Sequence, residues 1–223
     1  MSVTIRIVDS SEVGRAHAWH SGFAAANDAL FPRKPEDFER LAFSRSLWCA
    51  ITSEDEIMAM SYVDSEDDRI IEAGGLMVAA QARGTGLGTA IFRAPLAHFV
   101  MTERPQCWRN PPTIIAHILQ GNDMPRRIIE ETGFVFAHPV ERSGDELPGL
   151  RQCEDGMVRG DELHLDWSLA LPALAGWAGT WTGALRDGRA IDVLMLDGET
   201  MADLAIGLAE MATPSRQARA ASG

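Results

Sequence analysis

The 223-residue sequence predicts a mixed α/β fold of the α+β type: a mostly antiparallel central sheet flanked by helices, followed by a C-terminal α/β extension. Three observations carry this. An alternating apolar–polar start, "VTIRIVDS", is followed by two helical segments. Three strand-like runs joined by short acidic turns then make a meander. After the meander the periodicity changes from strand to helix and back twice.

Taken in order, "VTIRIVDS" is the first strand. From Ser11 to Leu30 the pattern is helical, with Val13, Ala16, Trp19, His20, Phe23 and Ala24 on one side. "FPRKPED" interrupts it, because proline removes a backbone donor and restricts the residue before it. "EDFERLAFSR" is a short second helix. "LWCAIT" and "IMAMSYV" form a hairpin across "SEDE", and a second acidic turn, "SEDDR", leads to the strand "IIEAGGLMVAA". Gly74 and Gly75 within that strand mark a bulge or a close backbone approach. A helix follows from about Thr89 to Thr102, then the strand "TIIAHIL", the helix "DMPRRIIEET" ended by Gly133, and the strand "FVFAHPV".

The last seventy residues are read more coarsely. "GMVRGDELHLDW" is a candidate partner strand for "FVFAHPV", and "SLALPALAGWAGTWTGAL" is helical in spite of Pro172. "AIDVLML" is strand-like, and "ETMADLAIGLAEMA" is a helix capped by Thr200. Trp167, Trp177 and Trp181 read first as core or as a dimer interface, with an acyl or aromatic pocket as the alternative. The expected organisation is a core over residues 1–140, an extension packed on it over 141–212, and a disordered tail over 213–223.

Composition limits the partners. Hydrophobic residues make up 46% and charged residues 23%, as in ordinary globular proteins. No apolar run approaches the roughly 18–20 residues that span a membrane, and no secretory signal is visible at the start. Cys49, Cys107 and Cys153 are isolated, without a CxxC pair. This argues against a disulfide framework and a structural zinc site, so the expectation is a cytoplasmic protein without a metal. The net charge of −12 leaves Lys34 and nineteen arginines against 32 acids. That balance disfavours nucleic acid, which rewards concentrated positive charge. A cationic or amine-bearing small molecule suits it, although acidity also serves solubility alone.

The densest chemical signal is "ARGTGLGTA", where three glycines at alternate positions join a strand to a helix. The first amides of a helix have no intrahelical acceptor, and together with its dipole they make an anion site that glycines open to a phosphate. A plain left-handed turn is the alternative. The segment is neither a Walker loop, lacking Gly-Lys-Ser/Thr, nor a dinucleotide fingerprint, since the preceding strands form a meander. A second segment, "NDMPRRIIEETGF", starts after a strand, spans one helix and ends in Gly-Phe before another strand.

With these two segments in this order, residues 3–140 resemble the GNAT superfamily of acyl-CoA-dependent N-acyltransferases. Arg83, Gly86 and Gly88 match that family's Gln/Arg-x-x-Gly-x-Gly/Ala loop, and Val78 and Arg83 match its Val-x-Pro-x-x-Arg, with Ala80 in place of proline. Asn122, Ile128, Gly133 and Phe134 fit its Asn-x-x-Ala-x-x-Leu-Tyr-x-x-x-Gly-Phe, whereas Pro125 and Ile129 depart from it. The resemblance implies a GNAT-like sheet splayed between its fourth and fifth strands, and a transfer of an acetyl or other short acyl group from acyl-CoA. The acceptor it implies is a primary amine of a small molecule or peptide. Coenzyme A pyrophosphate would lie on Arg83, Gly84, Thr85, Gly86, Leu87 and Gly88. The pantetheine arm would pair with the backbone of Leu76, Met77 and Val78 and touch Asn122, which is otherwise an ordinary helix cap.

Amine acylation needs a group to take the amine proton, a donor for the oxyanion and a proton for the leaving thiolate. Glu72, six residues before Val78 and on the same strand face by even spacing, is the first candidate base; a solvated strand carboxylate is the alternative. His117, in the strand facing the slot, is the second, with a satisfied core histidine as its alternative. The family's tyrosine acid falls at Ile129. The only tyrosine, Tyr62, reads as core or groove lining. Two functions therefore stand: the acyltransferase, and a degenerate module that binds acyl-CoA as a sensor or scaffold. A homodimer is compatible with either.

Overall fold

The computed structural model describes residues 2–67, 70–103, 111–194 and 199–213. The "CWRNPP" segment at 107–112 lies largely outside them, as do residues 214–223 of the tail.

The first strand, β1 (Val3–Ile7), leads through a single 3-10 turn into helices α1 (Val13–Ala25) and α2 (Pro35–Phe43). The meander β2 (Leu47–Thr52), β3 (Ile57–Asp67) and β4 (Ile70–Val78) follows. Then come α3 (Leu87–Thr102), β5 (Thr113–Leu119), α4 (Asp123–Glu130) and β6 (Phe134–Ser143). The chain continues as β7 (Met157–Leu165), α5 (Trp167–Gly179), β8 (Ile191–Val193) and α6 (Met201–Ala212). All eight strands form one sheet in the order β6-β7-β5-β4-β3-β2-β1-β8. Only β4–β5 and β1–β8 are parallel; the other neighbours are antiparallel.

The sheet is apolar on both faces. In β2, Trp48 and Ala50 join the larger core formed with α3, α5 and α6, while Leu47, Cys49 and Ile51 join a second core under α1 and α2. A central strand covered on both sides has no polar face to alternate, and "LWCAIT" accordingly reads as a continuous apolar run. Phe38 and Leu41 of α2, both essentially inaccessible, anchor the second core. No helix among the described residues is long and apolar enough to cross a membrane.

Several boundaries differ from the sequence reading. α1 stops at Ala25 rather than Leu30, because the Asn27 side chain accepts from Ala29 N–H and diverts the backbone into a turn. β3 runs on to Asp67, so "SED" is strand instead of turn. α5 stops at Gly179, where Thr180 Oγ1 donates to the Gly176 carbonyl, so Trp181 lies beyond the helix and packs edge-on against Trp177 at 5.6 Å. β8 spans Ile191–Val193, and residues 195–196 of the expected strand lie outside the described residues. The Thr200 cap forms as expected, in a reciprocal box with Asp203.

β7 pairs with β6 as anticipated and also lies between β6 and β5. The turn into β6 needs Gly133, whose φ is +107° and whose missing Cβ would come within 2.6 Å of the Ala170 backbone. Gly133→Ala therefore combines left-handed strain with a backbone collision. It is expected to lower stability by roughly 2–4 kcal/mol in denaturant unfolding.

Candidate functional site

The site begins where two parallel strands part. β4 and β5 are paired only at Ile70–Thr113, Ile71–Ile114 and Glu72–Ile115. β4 then continues to Val78 against β3 alone, and β5 continues to Leu119 against β7. A cleft of about 370 Å³ opens at the parting. Its lining comes from both faces of the sheet: His20, Arg33 and Tyr62 from the α1–α2 side, Phe92 and Ile129 from the α3 side. Leu76, Glu72, His117 and Asn122 also line it.

A bulge shapes this wall. Tyr62 opposes Gly74 and Met60 opposes Met77, so β4 spends three residues where β3 spends two. Gly75 has φ +61°, and a Cβ there would lie 2.3 Å from the Tyr62 ring. Both sequence readings of Gly74–Gly75, bulge and close approach, are realised, and the approaching group is the Tyr62 ring. The extra residue also reverses the alternation. Glu72 faces the α1–α2 side with Tyr62 and Arg33, while Val78 packs toward α3 against Gly88. The expectation that Glu72 and Val78 share a face is thus incorrect, because even spacing holds only for an unbulged strand.

Asp64 and Glu72 sit directly opposite each other on β3 and β4, a like-charge pair that would repel. Arg33, from the loop after α1, joins them. Its Nη1 donates to Asp64 Oδ2 at 3.2 Å and its Nη2 to Glu72 Oε2 at 2.9 Å. Nε and Nη2 also donate to the Tyr62 hydroxyl, at 3.1 and 2.7 Å. Arg40 of α2 makes a second, two-pronged contact with Asp64. Burial acts to raise the Asp64 pKa, but the two guanidiniums outweigh it and hold the carboxylate below its usual range. The Tyr62 hydroxyl is pushed upward by burial and by Glu72, so it stays protonated.

His117 projects from β5 beside Glu72, with Nδ1 3.8 Å from Glu72 Oε1. Its Nε2 hydrogen-bonds Glu162 Oε2 of β7 at 3.1 Å. Glu72 first, then Glu162, raise the imidazole pKa against the opposing effect of burial. The structure therefore brings together the two residues singled out as candidate bases, 45 positions apart in sequence. His117 is half-exposed rather than a core histidine.

The glycine loop lies beyond the cleft lining, at the end of β4. Its three glycines are there for two different reasons. Gly84 and Gly86 have φ +76° and +95°, with nothing nearer than 4.0 Å to an added Cβ, so conformation alone demands glycine. Gly88 has an ordinary φ, but a Cβ would meet Ile128 Cδ1 at 3.1 Å and Val78 Cγ2 at 3.3 Å. Gly86 is the N-cap of α3, which starts at Leu87 rather than Thr89. Thr85 Oγ1 donates to the Ala82 carbonyl, Leu87 is fully buried, and Arg83 Nε donates to the Val78 carbonyl at 3.2 Å. Side chains here hold the loop while its backbone is presented. From the C-terminal segment, Arg186 N–H donates to the Thr85 carbonyl at 2.9 Å. Asn122 occupies the N-cap of α4 without a side-chain capping bond, which leaves its amide group to the cleft. Met77 is buried in the second core, so only its backbone can serve a ligand.

No family model matches the chain, and no curated protein matches it in sequence. Solved structures do match in shape. A GNAT-family acetyltransferase from Streptococcus pneumoniae superposes with a TM-score of 0.55 at 13% identity, over 73% of this chain and 98% of that one. The chain has the GNAT fold. A GNAT superfamily phosphinothricin acetyltransferase from Sinorhizobium meliloti, in complex with acetyl-CoA, gives 0.55 at 13% identity over 74% and 88%. A ribosomal-protein-alanine N-acetyltransferase from Brucella melitensis gives 0.51 at 16% identity over 72% and 97%.

Within this GNAT fold, the site positions of Arg33, Asp64 and Glu162, and the place of His20 at the cleft, are not apparent from the sequence. Arg33 was visible only as part of a helix-breaking run. His20, expected on the apolar side of α1, is buried there at 1% exposure, with its ring edge-on to Phe38 at 4.9 Å. It also lines the cleft, and its Nδ1 has no hydrogen-bond partner among the described residues. Burial, followed by the charges of Arg33 and His17, depresses its pKa to about 4. An unfolded histidine near 6.5 binds a proton that folded His20 refuses, so its contribution is complete above about 6.5 and is lost as pH falls toward 4. Unfolding by urea at several pH values should show wild-type stability dropping across that window by about 3 kcal/mol more than that of His20→Gln.

Proposed function

We propose that the protein transfers an acetyl or other short acyl group from acyl-CoA to a primary amine of a small molecule or peptide. The observation that carries this reading is a convergence. One strand, β4, carries the Glu72 carboxylate and an unpaired backbone edge along the cleft and then ends at a glycine-shaped loop on a helix N-terminus. The acetyl-CoA complex of the Sinorhizobium protein, which shares the fold, supports the same donor.

In this reading the amides around Arg83–Gly88 and the N-terminus of α3 take the pyrophosphate. The free edge of Leu76–Val78 pairs with the pantetheine arm as an added strand would, and the uncapped Asn122 amide contacts it. The amine nitrogen attacks the thioester carbonyl, a backbone N–H of β4 stabilises the oxyanion, and the carbon–sulfur bond breaks. Glu72 takes the amine proton directly or through a water, held in place by Arg33, with His117 as the second candidate for that role. Residues 1–140 carry these parts; residues 141–212 are an extension whose Arg186 backbone steadies the loop.

The acceptor side is apolar with few polar groups: Leu30, Phe31, Leu147 and Leu150 against Glu72 and Asp161. This suits an amine on an apolar body. A second reading, a sensor or scaffold that binds acyl-CoA without turnover, draws on Ile129. That side chain is 4% exposed and lines the cleft where the resemblance would place a tyrosine, so no tyrosine at that position protonates the leaving thiolate.

Thiol release from acetyl-CoA with polyamines, amino sugars, amino acids and basic peptides tests both readings. Gly86→Val, strained at φ +95°, should raise the KM for acetyl-CoA about tenfold or more. Glu72→Gln should lower kcat about a hundredfold or more with little change in that KM. Acetyl-CoA binding without thiol release from any amine would favour the sensor.

A further inference from the structure

Three histidines surround one carboxylate on the sheet face that carries His117. Glu162 lies in the middle of a cross-strand row, opposite His117 of β5 on one side and His138 of β6 on the other. His164, two residues along β7, projects from the same face. His138 Nε2 is 3.3 Å from Glu162 Oε1, and His164 Nε2 is 2.6 Å from that same oxygen. One ligating atom from each of these three residues lies within 4.8 Å of the other two. The proposed transfer uses none of the three.

We infer that His138, Glu162 and His164 bind a divalent transition-metal cation of the zinc type, with an open coordination position. Two imidazole nitrogens and one carboxylate oxygen are a borderline donor set that suits Zn²⁺, Co²⁺ or Ni²⁺ better than Mg²⁺ or Ca²⁺. Cysteine is not required, so the absence of a CxxC pair does not bear on this site, which departs from the expectation of a metal-free protein.

Two outer contacts support it. His138 Nδ1 lies 3.2 Å from the Pro139 carbonyl, which can only accept, so that ring nitrogen carries the hydrogen. In the neutral ring Nε2 is then a bare lone pair facing Glu162 Oε1, and a cation between two such atoms turns repulsion into ligation. Backbone-carbonyl support of a ligand's other ring nitrogen is the usual way a metal-binding histidine is fixed. The second contact is from His117, whose Nε2 bonds Glu162 Oε2, the oxygen left over when Oε1 takes the metal. A bound cation would thereby fix Glu162, and through it the His117 side chain at the wall of the cleft. His138 is well exposed, which gives ions and an exogenous fourth ligand a route in.

The ligand pair Glu162–His164 was legible only as "ELH", two residues apart on a strand; the pairing with β6 that adds His138 is a property of the fold.

The test uses the full chain without a histidine tag, stripped by chelator and titrated with Co²⁺ and then Zn²⁺. Expected are one equivalent of bound metal, a visible Co²⁺ absorption displaced by Zn²⁺, and a melting temperature raised by Zn²⁺. His138→Ala and His164→Ala should each weaken binding by about tenfold to a hundredfold. Their metal-free melting curves should match wild type, since neither is a core residue, and His17→Ala should bind as wild type does. Absence of saturable uptake would overturn the assignment. So would uptake that survives the double variant lacking both His138 and His164. No acyl-CoA or amine is involved, so the result stands apart from whether the acyl transfer occurs.

Discussion

An unpaired strand edge inside a sheet is the constraint on which the rest of this structure turns. Backbone N–H and C=O groups must find partners, and an interior strand normally finds them on both sides. β4 gives up its second partner after Glu72, and so does the facing edge of β5. The chain can sustain such a gap because each strand is still held on its other side, β4 by β3 and β5 by β7. The gap is then lined by side chains from both cores. What would be a defect in a purely structural sheet is a slot with directional hydrogen-bonding walls.

The bulge and the Arg33 network are local answers to the strain of placing charge there. A carboxylate pair across β3 and β4 would be repulsive, and burial makes it more so. Arg33 neutralises it with one planar fork, which lysine, with its compact ammonium, could not match. Gly74 and Gly75 make room for the Tyr62 ring that completes the fork's partners. Glycine, tyrosine and arginine at this site are one packing solution written across three distant segments.

The sequence reveals what is local. Strands β1, β2 and β5 follow from composition and period, and the loop from glycines flanked by a strand and a helix. It is silent on what depends on register. No pattern in "IIEAGGLMV" says which of three residues absorbs the bulge, so the parity of Glu72 against Val78 is misread. Glu162 looks like one more surface acid until β7 is seen between β5 and β6, where it meets His117 and His138. Arg33 is hidden for a similar reason: its partners are 29 to 39 residues away, and it sits in a turn-like run between Pro32 and Pro35. Glu72 and His117 were accessible because each lies on a strand whose place beside the slot the resemblance supplied.

The strand order also governs how this chain can be made. β6 leaves the ribosome before β7, yet its only neighbour in the sheet among the described residues is β7, and β5 has no antiparallel partner there until β7 arrives. At the other edge, β1 pairs with β8 nearly the whole chain later. Closing contacts so remote in sequence is slow, because the loop entropy is spent before the contact forms. A nascent chain stalled before Met157 would carry an unfinished sheet with open edges, the state in which strands pair with neighbouring molecules.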